Sequence, residues 1–155
     1  MSVTIRTQRI ATIRPAMPPS VLLVEDKEDT VEVLTLLLEM NGFCVRCASD
    51  GRDGTHMLER QIPDLILSDF MMPHVDGITF CNKVKSTPAW QHIPFILMSA
   101  AADRLDLTRA PADAVLRKPF RFDDLLSEIS TLLAKYQAAQ SPPRVAQPSG
   151  ADEHK

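Results

Sequence analysis

Short apolar runs that stop at polar residues recur along the chain. Val21-Leu22-Leu23-Val24 stops at Glu25-Asp26, Leu65-Ile66-Leu67 at Ser68-Asp69, Pro94-Phe95-Ile96-Leu97-Met98 at Ser99, and Ala114-Val115-Leu116-Arg117 at Lys118-Pro119. Apolar runs of this length without alternation are the pattern of strands buried on both faces, as in a parallel sheet. Phe43 to Ala48 reads as a further strand. Between these runs the spacing becomes helical. Val31, Leu34, Leu37 and Leu38 share a face, with Asp29 and Glu32 expected as N-cap and capping-box partner and Asn41-Gly42 as the stop. A short helix is expected over Asp53 to Arg60, carrying His56 on its wet side. A third follows Asp76-Gly77, with Ile78, Cys81 and Val84 on one side. A weaker helical segment lies near Asp103 to Ala110 and ends at Pro111. The last helix places Asp123 and Asp124 in its first turn, where the helix dipole favours acids. Leu125, Leu126, Ile129, Leu132, Leu133 and Tyr136 form its stripe. Five strands alternating with five helical segments predict an α/β fold, a doubly wound five-stranded parallel sheet with helices on both faces.

The chain has 155 residues, enough for one domain with a real core. Residues 1–19 carry Arg6, Arg9 and Arg14 with no acid before Glu25, and Pro15, Pro18 and Pro19 break any amphipathic helix there; they read as a flexible leader. The predicted domain spans residues 20–137, and the Pro-, Ser- and Ala-rich residues 138–155 read as a disordered tail. A net charge of -3 argues against nucleic acid or an anionic membrane as the main partner. No apolar run reaches spanning length. Three cysteines are too few for a disulfide framework, so a reducing, cytoplasmic setting is expected. Cys44 and Cys47 have C-x-x-C spacing, but residues three apart on a strand face opposite sides of the sheet, which argues against a redox or metal pair.

All strands of a parallel sheet share one carboxyl-terminal edge, where open α/β sheets bind ligands. Glu25, Asp26, Asp69, Ser99 and Lys118 are therefore expected to converge. Each has an ordinary explanation when taken singly: Asp69 could end a strand, Ser99 could cap a helix, and Lys118 could be a solvated loop lysine. Their recurrence at successive strand ends favours a site. Carboxylates about 4 Å apart repel by roughly 4 kcal/mol per pair at an effective dielectric near 20. Either one of them is protonated or a cation sits among them, and for a cation an all-oxygen set without His or Cys suits Mg²⁺. Such a site fits phosphoryl transfer, in which a carboxylate can become an aspartyl phosphate. Lys118 would offer positive charge and Ser99 a hydroxyl to the phosphoryl oxygens.

The motifs V-L-L-V-E-D, L-I-L-S-D-F-M-M-P-x-x-D-G, F-I-L-M-S-A and L-R-K-P-F together resemble the receiver domain of two-component response regulators, over about residues 20–137. The resemblance implies a flavodoxin-like strand order 2-1-3-4-5. It makes Asp69 the phosphoacceptor, with Asp26 on Mg²⁺ directly, Glu25 near it or acting through water, and the backbone carbonyl of Met71 completing the protein ligands. Ser99 and Lys118 would hold the phosphoryl group. The donor would be a phosphohistidine on a sensor histidine kinase or histidine phosphotransfer protein, and a downstream partner protein would read the changed surface.

The chain departs from the family pattern in three ways. Val115 stands where an aromatic is common, so the aromatic switch lacks its ring. The segment between Ser99 and Lys118 is short and carries Pro111, which predicts an irregular helix there and tells against a receiver dimer through that face. Nothing after Tyr136 reads as an output domain, so a stand-alone receiver is expected. Met71 and Ala101 fall where family side chains influence phosphoryl lifetime; neither can orient a water strongly, which predicts slow self-dephosphorylation. The expected function is signal relay rather than conventional enzymatic turnover. The alternatives are a phosphate carrier or sink without conformational output, and a constitutive interaction module; a hydrolase is disfavoured because His74 is expected to face solvent.

Overall fold

A computed structural model of the protein describes residues 17–100 and 110–140. Its core is one sheet of five parallel strands: β1 (Ser20–Val24), β2 (Cys44–Ala48), β3 (Leu65–Asp69), β4 (Phe95–Ser99) and β5 (Ala114–Arg117). The order across the sheet is β2-β1-β3-β4-β5. Four described helices, α1 (Glu28–Met40), α2 (Gly51–Arg60), α3 (Gly77–Ser86) and α4 (Phe122–Gln140), cover its two faces. The helical segment expected near Asp103 to Ala110 falls almost wholly outside the described residues, as do residues 1–16 and 141–155. The last helix runs through Gln140, past the expected boundary at 137.

The unbroken apolar runs are explained by burial on both sides. Successive strand side chains point to opposite faces. Leu22, Val24, Ile66, Phe95 and Leu97 pack with Leu58 of α2 and with Phe80, Cys81 and Val84 of α3. Val21, Leu23, Leu65, Leu67, Ile96 and Met98 pack with Leu34 and Leu38 of α1 and with Leu125, Ile129 and Leu132 of α4. The centre of the third helix's buried face is therefore Phe80 with Cys81 and Val84, while Ile78 is only partly buried. Burial pushes the Cys81 thiol up to about 12, so it stays protonated as a core residue.

Helix starts follow local chemistry, with one correction. Asp50 caps α2 by accepting from the Asp53 N–H at 2.8 Å, and Asp76 caps α3 by accepting from the Thr79 N–H at 2.7 Å. The expected cap at Asp29 is not used. The α1 helix starts at Glu28 with Lys27 at the N-cap position and no side-chain cap, so Asp29 lies inside the first turn as a dipole partner. At the other end Gly42, with φ of 88°, takes the left-handed conformation that Gly adopts without penalty. Cys44 and Cys47 are free and both exposed on the edge strand.

A polar knot fastens the pole opposite the strand carboxyl ends. Lys85 Nζ lies 2.7 Å from Asp113 Oδ2 and donates to the Ile93 carbonyl at 2.8 Å. Tyr136 donates to Asp113 Oδ1 at 2.7 Å, and the Phe95 N–H donates to Asp113 Oδ2 at 2.8 Å. One carboxylate thus ties α3, β4 and α4 to the lead-in of β5. Burial pushes the Asp113 carboxyl up, but the bonds from Lys85, Tyr136 and Phe95 together outweigh it and hold it below the usual carboxylate range. A depressed folded value means stability that is present above the ordinary carboxylate range and lost as pH falls through the folded value. Asp113→Asn is therefore expected to cost about 2 kcal/mol in urea unfolding at neutral pH, the scale of hydrogen bonds to a charged group. The gap to wild type should narrow and close as pH falls below the ordinary carboxylate range. A gap that persists in acid would mean that the carboxylate charge is not what matters.

Candidate phosphoacceptor site

The strand register gathers the polar residues at one edge. Asp69 is paired with Met98, and the next N–H, that of Phe70, donates to the Met98 carbonyl at 2.8 Å. Ser99 is paired with Arg117, and the Lys118 N–H donates to the Ser99 carbonyl at 2.9 Å. Glu25, just past β1, donates its N–H to Ala48 at 3.0 Å. Asp69 and Ser99 are thus the last residues of their strands, Glu25 and Lys118 come directly after theirs, and Asp26 follows Glu25.

The three carboxylates and Lys118 come together at this edge. Lys118 Nζ lies 2.9 Å from Asp69 Oδ1 and 3.4 Å from Glu25 Oε2. Glu25, Asp26 and Asp69 each bring a carboxylate oxygen to within 4.8 Å of the others. Glu25 and Asp69 are buried and Asp26 is exposed, which leaves the cluster open on the Asp26 side. Burial pushes the Glu25 carboxyl up and the neighbouring Asp69 adds to this; Lys118 and the Lys27 N–H pull the other way without cancelling it. Burial also pulls Lys118 down, but its contacts with Asp69 and Glu25 prevail and raise it, so it stays a cation.

Ser99 completes the picture. It is 0% exposed, and its Oγ has no hydrogen-bond partner among the described residues. A buried hydroxyl left unpaired costs about 1–3 kcal/mol, an arrangement that a group arriving at the strand ends would relieve. The donor set also fits a hard divalent cation: three carboxylates, one of them open to solvent, with no nitrogen or sulfur ligand in the cluster. Met71, whose carbonyl the resemblance assigns to the metal, lies two residues past Asp69 with its side chain 64% exposed. Ala101 lies outside the described residues. His74 is exposed in the β3–α3 loop at φ of 63°. Val115 is half-buried against the core layer that contains Phe80 and Phe95, so the position has no ring to swing.

Gly77 is part of the site although the sequence does not mark it as such. Its N–H donates to the Phe70 carbonyl at 2.9 Å, and a Cβ there would collide with the Asp69 carbonyl oxygen. The signal was the Asp76-Gly77 pair, which reads first as a helix start; the close approach to Asp69 is visible only in three dimensions.

The fold and this edge define a class of signalling domain, and the chain belongs to it: residues 21–130 match the response regulator receiver domain family. Among curated proteins it is 35% identical over 128 residues to the response regulator Rre1 of Synechocystis sp., covering 80% of this chain and 55% of that protein. Among solved structures it is similar to the signal receiver domain of a signal transduction histidine kinase from Syntrophus aciditrophicus. That match has a TM-score of 0.74 and 29% identity, and covers 84% of this chain and 99% of that one. It is also similar to the receiver domain of the sensor histidine kinase PA1611 from Pseudomonas aeruginosa, which has a magnesium ion coordinated in its active site cleft. There the TM-score is 0.71 and the identity 27%, covering 76% of this chain and 98% of that one. The chain spans about half the length of the curated relatives it matches, at 55% and 52% for the first two. Among the described residues no helix is long and apolar enough to cross a membrane.

Proposed function

We propose that the chain accepts a phosphoryl group on Asp69 in a two-component phosphorelay, with Mg²⁺ as the cofactor. The observation that carries this reading is the contact of Lys118 with Asp69, at 2.9 Å, beside a trio of carboxylates within 4.8 Å of one another. Glu25, Asp26 and Asp69, with the Met71 carbonyl, would hold the ion. When bound, Mg²⁺ supplies charge neutralisation for the phosphoryl oxygens. The donor is a phosphohistidine on a sensor histidine kinase or histidine phosphotransfer protein. An Asp69 oxygen attacks phosphorus, the O–P bond forms as the P–N bond breaks, and the imidazole leaves with the electron pair and is protonated. Lys118 moves its charge from the Asp69 carboxylate to the new phosphoryl oxygens, and the Ser99 hydroxyl, without a partner among the described residues, gains one. This is a domain assisting its own modification rather than an enzyme turning over a separate substrate.

The added charge, about two units, acts on Ser99 and Lys118, and the surface around them is what a partner protein reads. Val115 supports the second reading, a phosphate carrier without conformational output, because one switching part is missing. Equal partner affinity with and without phosphorylation would favour the carrier.

Incubation with a small P–N phosphodonor tests the chemistry. Labelling is expected with Mg²⁺ and should fall to background in excess chelator; undiminished labelling in chelator would overturn the metal-dependent mechanism. The Met71 thioether cannot hold a water as a strong acceptor would, so the label should decay over minutes or longer. Decay within seconds at room temperature would contradict that.

A further inference from the structure

The α1 helix carries an exposed stripe that the phosphoacceptor site does not use. Val33, Leu36 and Met40 are 56%, 59% and 73% exposed. Spaced three and four apart, they lie on one face of the helix. Isolated exposed apolar residues need no explanation, but a contiguous row rimmed by charge marks an interaction surface. The rim here is of one sign: Glu28, Asp29, Glu32 and Glu39 are exposed, and the helix from Glu28 to Met40 contains no Lys or Arg. An occupant should therefore combine apolar side chains with positive charge and lack acids.

The chain itself contains such a segment. Residues 1–16 hold Arg6, Arg9 and Arg14, no Asp or Glu, and the apolar Val3, Ile5, Ile10 and Ile13. The attachment point is also suitable. The Pro19 carbonyl accepts from the Cys44 N–H at 2.9 Å, and the Phe43 N–H in turn donates to the Leu38 carbonyl at 3.1 Å, so the leader joins the domain beside the end of α1 where Met40 sits. A helix of 13 residues is about 20 Å long, and sixteen extended residues reach roughly 50 Å, so length is no obstacle. Tethering supplies an effective concentration on the order of millimolar, so weak contacts suffice.

We propose that residues 1–16 dock on α1 of their own chain, laying the isoleucines on the Val33–Leu36–Met40 stripe and the arginines against Glu32, Glu39 and Asp29. At its upper end Val33 lines the same groove as Lys118 and Pro119, so the docked leader borders the strand-end site.

Hydrogen exchange of leader amides in the full chain, read by mass spectrometry on dilute protein, tests this. Exchange is expected to be slowed at least about fivefold in wild type relative to Val33→Ser/Leu36→Ser/Met40→Ser, as an effective concentration several times Kd requires. Glu32→Lys/Glu39→Lys should also lose the protection, and combining it with Arg6→Glu/Arg9→Glu should restore it. All these positions on α1 are exposed, and an unchanged melting temperature checks that the fold is intact. Equal exchange in wild type and the stripe variant overturns the proposal. Protection that grows with protein concentration also overturns it, since the occupant would then be the leader of a second copy.

Discussion

Asp69→Asn is expected to lower labelling by a small phosphodonor by roughly three orders of magnitude or more, the scale on which losing a nucleophile acts, while the protein stays folded. The fold should survive because the exchange is close to isosteric and its two electrostatic consequences oppose each other. Asp69 is 4% exposed and loses its 2.9 Å ion pair with Lys118 on becoming an amide. The same change removes a charge that, after burial, is the main cause holding the Glu25 carboxyl up. Lys118 keeps a carboxylate partner in Glu25 at 3.4 Å. Thermal unfolding should therefore shift by about 1 kcal/mol or less, against the background that most substitutions destabilise. Labelling equal to wild type would move the acceptor elsewhere and undo the site assignment.

Gly77→Ala should be the most damaging single-methyl change near the site. The added Cβ would meet the Asp69 carbonyl oxygen, with Leu97 Cδ1 at 2.8 Å and Phe70 Cα at 2.9 Å. Two of these three neighbours are backbone and cannot rotate aside, so the β3 end or the start of α3 must shift. Overpacking of this kind costs about 3 kcal/mol. Because the displaced backbone carries Asp69, the labelling rate should fall in the molecules that remain folded. Gly42→Ala is the control. That glycine has open space around it but sits at φ of 88°, so the cost should be conformational, about 1–2 kcal/mol, with labelling unchanged. Equal urea midpoints for Gly77→Ala and wild type would show that α3 does not start as tightly against Asp69 as described.

The sheet and its order were legible because unbroken apolar runs such as Leu65-Ile66-Leu67 and Phe95-Ile96-Leu97-Met98 leave few alternatives to a strand covered on both faces. The site residues were legible for a related reason: a carboxylate, a hydroxyl or a lysine directly after such a run is placed by the parallel register. Other features exist only in three dimensions. Asp29 and Glu32 fit a capping box by spacing, whereas the chain turns into α1 two residues earlier, with Lys27 at the N-cap position and Glu28 first in the helix. The Lys85–Asp113–Tyr136 knot joins residues 28 and 23 positions apart, and nothing local in the sequence marks them as partners. A three-to-four spacing fits Ile78 or Phe80 equally; the contact of the Phe80 ring with Phe95, at 5.7 Å between centroids, decides that Phe80 faces the sheet.

Borohydride reduction of the labelled full chain, followed by peptide mapping, tests the central assignment most directly, because it converts an aspartyl phosphate to homoserine where it stands. Homoserine is expected in place of Asp69 and at no other position, and only when Mg²⁺ was present during labelling. Reduction at Glu25 or Asp26, or a phosphoryl group retained on His74, with Asp69 intact, would contradict it.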